Sequence, residues 1–71
     1  MSEYVAELFV PSHDAAIDYV LAMEARWRLS GTRIISAERG SDWWVEGFHI
    51  VTSNGNKWFV WGENGRVMGE C

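Results

Sequence analysis

Residues 57–67 read KWFVWGENGRV. Alternation along a strand turns Trp58 and Val60 to one face and Phe59 and Trp61 to the other. Neither face is polar, so the sheet built on this strand needs cover on both sides. Asn64-Gly65 ends the strand as a two-residue hairpin, because Asn and Gly tolerate positive φ. Asn54-Gly55 gives the same signal just upstream, and Gly40-Ser41 offers a third turn. The segments between turns, 32–38, 43–52, 57–61 and 66–69, predict an antiparallel meander.

Upstream of the meander, residues 3–10 (EYVAELFV) alternate weakly and read as a strand that stops at Pro11, which has no N–H for a ladder. Ser12 then occupies a helix N-cap position, with Asp14 and Asp18 near the positive end of the dipole. The helix is expected to reach about residue 29. Ala16, Val20, Met23 and Trp27 form its apolar stripe, flanked by Ile17 and Tyr19. Glu24 and Arg28 stand at i, i+4 in the favourable order, and Gly31 suits the left-handed closing position. The order β-α-β-β-β-β predicts an α+β fold, one helix packed on an antiparallel sheet of about five strands, in a single domain spanning 1–71.

With two-residue turns throughout, Val51 opposes Trp58, Phe48 opposes Trp61, Gly62 opposes Val67 and Ala37 opposes Trp44. Directly opposed residues share a face. Ile35, Ala37, Trp44, Phe48, Ile50, Phe59, Trp61 and Met68 then lie under the helix. Ile34, Glu38, Trp43, Val45, His49, Val51, Trp58, Val60 and Val67 lie on the other side. A slip of one residue exchanges the two sets. A single helix covers one set only, so the second is expected to be an apolar contact surface. Its candidate partner-binding residues are Glu38, Trp43, His49 and Trp58, with Trp43 and Trp58 as anchors and Asp42 and Glu46 as steering charges. A second copy of the chain is the alternative occupant.

Composition narrows the function classes. The chain has 71 residues, 48% of them hydrophobic, with five Trp and one Cys. A domain of this size buries only about 60% of its unfolded surface, which calls for an unusually apolar core or a partner. One cysteine excludes an internal disulfide and fits a reducing, cytoplasmic setting. No apolar run is long enough to cross a membrane. Ten acidic residues face six basic ones, for a net charge of -4. That balance disfavours phosphate binding, and so direct nucleic-acid contact, and suits a basic protein surface. The aromatic strands lack the interleaved Lys and Arg of a single-strand platform.

No catalytic or metal site is expected, and no cofactor. Glu46 and His49 are three apart on one strand and point to opposite faces, which makes them a poor acid–base pair. His13 opens the helix as a solvated residue. Cys71 has no partner base in sequence, and no ligand spacing of the metal-site kind occurs. The glycines of SNGN and GENG precede strands rather than a helix, so they are not a phosphate cradle.

Thr52, Asn54-Gly55, Trp58, Glu63, Asn64-Gly65, Arg66 and a Cys near the end form a pattern over the C-terminal third. In this pattern the chain resembles the small phage-encoded anti-CRISPR inhibitors of type I systems. The resemblance implies a stoichiometric inhibitor with no active site, working in the cytoplasm of an infected or prophage-carrying bacterium. Such inhibitors bind the CRISPR surveillance complex, often along the basic backbone subunits, and block target DNA hybridisation or nuclease recruitment. It implies no particular contact residues.

Overall fold

A computed structural model describes residues 10–27, 31–42 and 45–71 of the chain. Helix α1 (His13–Arg26) precedes four strands: β1 (Ile34–Asp42), β2 (Val45–Thr52), β3 (Lys57–Glu63) and β4 (Arg66–Glu70). The strands form one antiparallel sheet in the order β1-β2-β3-β4, with α1 against one side. The class is α+β. Apart from Val10, the strand expected over 3–10 lies outside the described residues. Val10 and Pro11 sit beside the β3–β4 turn, where the Gly65 N–H donates to the Val10 carbonyl at 3.1 Å.

Helix α1 starts as its residues dictate. The Ser12 hydroxyl accepts from the Ala15 N–H at 3.1 Å, and Asp14 lies in the first turn. The helix stops at Arg26, earlier than expected. Trp27 takes the C-cap position at φ -86°, ψ 11°, and its N–H is shared between the carbonyls of Met23 and Glu24.

The hairpins explain the register. The β3–β4 turn is the expected two-residue one: Asn64 (φ 53°) and Gly65 (φ 78°) are both left-handed, and Glu63 opposes Arg66. The β2–β3 turn differs. The Gly55 N–H donates to the Thr52 carbonyl and the Thr52 N–H to the Asn56 carbonyl, both at 3.0 Å. This is a three-residue loop with Gly55 left-handed at φ 83°. The extra residue moves the pairing by one, so Ile50 opposes Trp58 and Phe48 opposes Val60. The β1–β2 turn also moves. Gly40 and Ser41 stay inside the ladder, opposite Gly47 and Glu46, and the pairing continues to Asp42 opposite Val45. Ala37 therefore opposes Ile50 rather than Trp44.

The shift at Asn56 exchanges the two sides of β3. Trp58 and Val60 join Ala16, Val20, Phe48 and Ile50 in the core beneath the helix, with Ile34, Ala37 and Val67 at its margin. Fully burying each large aliphatic side chain contributes roughly 1.5–3 kcal/mol. Phe59 and Trp61, expected under the helix, share the opposite side with Glu38, Val45, His49 and Val51. Trp58 is thus a core residue, 7% exposed, and not a surface anchor. A bulge between Trp61 and Gly62 leaves Met68 outside the pairing, so Gly69 opposes Trp61.

The side away from the helix is covered in part by its own rings. A Cβ on Gly69 would lie 2.6 Å from Trp61 Cζ2, so the indole occupies the place of the missing side chain. In the same way His49 leans over Gly40 and the Phe59 ring tip over Gly47, each 3.1 Å from the notional Cβ. The rings of His49 and Phe59 are 4.8 Å apart, and Phe59 is only 6% exposed. Glycines on neighbouring strands therefore let aromatic side chains lie down against the sheet, which hides part of the apolar surface on the side away from α1.

Gly47 is the most constrained of these positions, because a Cβ there would also stand 2.1 Å from the Val60 carbonyl oxygen. Gly47→Ala is expected to lower stability by about 2 kcal/mol or more. Gly55→Ala, which meets nothing within 4 Å and bears only the positive-φ penalty, should lose about 1 kcal/mol. Urea unfolding of the two variants checks the order.

Candidate functional site

Glu24 lies one helical turn beyond Val20 and two beyond Ala16, so it points with them into the sheet and is fully buried. Four neutral donors meet its carboxylate. Oε1 accepts from Asn54 Nδ2 at 2.7 Å and from the Thr32 hydroxyl at 3.3 Å. Oε2 accepts from Trp58 Nε1 at 2.8 Å and from Asn56 Nδ2 at 3.1 Å. Asn54 Nδ2 also donates to Thr32 Oγ1 at 2.7 Å. The cluster joins the last turn of α1, the entry to β1, the β2–β3 loop and β3.

Burial alone would push this carboxyl's pKa up. The hydrogen bonds from Asn54, Trp58 and Asn56, with Thr52 alongside, outweigh it and hold the value at about 2, below the ordinary 4.5. Thr52 Oγ1 is itself buried and has no hydrogen bond of regular geometry, so its share is the smallest. The sequence reading gave Glu24 an ion pair with Arg28, which lies outside the described residues. The carboxylate is instead committed to the sheet. Two signals pointed there: the strict i, i+4, i+8 spacing of Ala16, Val20 and Glu24, and the need of a buried indole N–H for an acceptor.

The cluster positions a surface feature. Trp27 stacks on Trp58, with ring centroids 5.2 Å apart and planes at 28°. Because Glu24 fixes Trp58, Trp58 in turn fixes Trp27, yet Trp27 is 57% exposed. Beside it is an open hollow of about 390 Å³ lined by Trp27, Asn56, Lys57, Trp58, Glu70 and Cys71. Glu70 accepts a hydrogen bond from the Tyr19 hydroxyl, and that bond, together with burial, raises the phenol's pKa from its ordinary 10.0. The apolar periodicity places Trp27 in the buried stripe. The helix end at Arg26 releases it from that role.

The sequence-predicted site residues separate. Glu38 and His49 oppose each other on the side away from the helix, and Asp42 shares that side. Glu46 is on the other side, exposed, with its carboxylate 3.2 Å from Arg39. Trp58 is interior, and Trp43 lies outside the described residues. Ile35, Val45 and Met68 are exposed at 62%, 40% and 59%. Among the described residues no group of three or more His, Cys, Asp or Glu could hold a metal ion, and no helix is long and apolar enough to cross a membrane.

The fold and cluster define a small α+β protein in which, among the described residues, helix α1 is pinned to a four-stranded meander by a buried carboxylate. No family model, curated protein or solved structure matches the chain.

Because the folded-state pKa of Glu24 lies below its unfolded value, the unfolded chain binds the extra proton in acid. The carboxylate's contribution is complete above 4.5 and is lost as pH falls toward about 2. The melting temperature of the wild type should fall more steeply across that window than that of Glu24→Gln. Glu24→Ala, which strands the buried donors, should lose about 2–4 kcal/mol at neutral pH in urea unfolding.

Proposed function

We propose that the protein is a non-enzymatic inhibitor that binds a basic protein surface, and that this surface belongs to a type I CRISPR surveillance complex. Docking would block target DNA binding or nuclease recruitment in the cytoplasm of an infected or prophage-carrying bacterium. The observation that supports the binding role is Trp27: a 57% exposed indole, held by a stack on a buried indole that is itself hydrogen-bonded. Tryptophan is enriched at interface hot spots, and a ring immobilised before contact loses less entropy on binding.

Charge supports the choice of partner. The net charge of -4 steers the chain toward basic surfaces, with Glu38 and Asp42 on the side of the sheet away from the helix. The choice of a type I complex comes from the resemblance in the C-terminal hairpins. In this structure Asn54 and Trp58 serve the buried cluster, and Asn64-Gly65 makes the β3–β4 turn. A target contact is therefore sought in the exposed side chains around them.

Immobilised protein incubated with purified type I surveillance complexes at micromolar concentration tests this function. Retention of a complex is expected. Trp27→Ala should weaken it about tenfold or more while keeping a cooperative melting transition. No complex retained by the wild type would remove the proposed target.

A further inference from the structure

We propose that the hollow beside Trp27 binds one guanidinium group, an arginine side chain of the partner, laid on the open face of the Trp27 indole with its N–H fork toward the Glu70 carboxylate. This rests on the protein-binding role above but not on the identity of the target.

Three features select that ligand. Trp58 backs one side of the Trp27 ring while the ring remains 57% exposed, which makes a platform with one open face. The face of an indole carries partial negative charge and attracts cations, Arg more often than Lys. Glu70 stands in the same hollow, steadied by the Tyr19 hydroxyl on its Oε2. A carboxylate with one such bond keeps acceptor capacity for a bidentate guanidinium. The volume of about 390 Å³ accommodates a long side chain but not a folded peptide segment.

Other occupants fit less well. An anion would meet the ring face and Glu70. A purely apolar side chain would bury the remaining acceptor capacity of the Glu70 carboxylate with nothing to satisfy it. Ammonium is more strongly hydrated than guanidinium and does not stack as a plane. Lys57 contributes to the rim of the hollow, but strand alternation turns its side chain, with that of its cross-strand partner Val51, to the side of the sheet away from Trp58.

Titration of the isolated, ¹⁵N-labelled protein with N-acetyl-arginine amide tests the site, with N-acetyl-norleucine amide as the uncharged comparison. Saturable shifts of the Trp27 indole N–H and the Glu70 amide are expected at millimolar arginine amide and not with the norleucine amide. Glu70→Gln, which still accepts from Tyr19, should weaken binding several-fold. Trp27→Ala should abolish the Glu70 shift. Equal shifts from both amides, or none from arginine amide, overturn the guanidinium site. No complex is needed for this titration, so its failure is distinct from failure of the surveillance-complex target.

Discussion

A carboxylate buried at Glu24, surrounded by neutral donors and sitting in the last turn of a helix, is an expensive thing to place inside a small protein. Desolvation and the negative end of the helix dipole both oppose its charge. The charge persists because Trp58, Asn54, Asn56 and Thr32 each bring a hydrogen to it. Hydrogen bonds to a charged group are the stronger kind, and several converging on one group satisfy its lone pairs. The requirement is geometric as much as energetic. Trp58 reaches Glu24 only if β3 turns that residue toward the helix, and Asn54 and Asn56 reach it only if the β2–β3 loop has three residues. The cluster and the register therefore support each other.

The other side of the sheet follows from the same register. With Trp58 and Val60 inward, Phe59 and Trp61 face away from α1. They lie over Gly47 and Gly69, while His49 lies over Gly40. Such pairings limit the aromatic surface that the described strands expose on the side away from α1. What stays exposed is selective: Trp27 at the end of the helix, Ile35, Val45 and the bulged Met68.

Much of the fold was legible in the chain. Ser12 capped the helix as read, Ala16 and Val20 faced the core, and Asn64-Gly65 made its two-residue turn. Asn54-Gly55 marked a turn correctly but not its length. Both loop types accept Gly at positive φ, and only Asn56, drawn to Glu24, tells them apart. Gly40-Ser41 looked like a turn because a glycine serving as a seat for a ring has the same local signature. The loop length moved Trp58 to the wrong side, and the longer helix expected from the sequence kept Trp27 in the core stripe. Glu38 and His49 share a side as read, since the β1–β2 pairing shifted by an even number across those residues.

Function in this picture depends on a relay of fixed groups. Glu24 holds Trp58 and Trp58 holds Trp27, the ring that the proposed function offers to a partner. The most direct measurement is hydrogen exchange at the tryptophan indole N–H groups, resolved by NMR. The Trp58 indole N–H should be shifted downfield and exchange only on global unfolding, with a through-space contact to Trp27. Rapid exchange at Trp58 together with Phe59 protons in contact with Val20 would show β3 turned the other way and contradict the account.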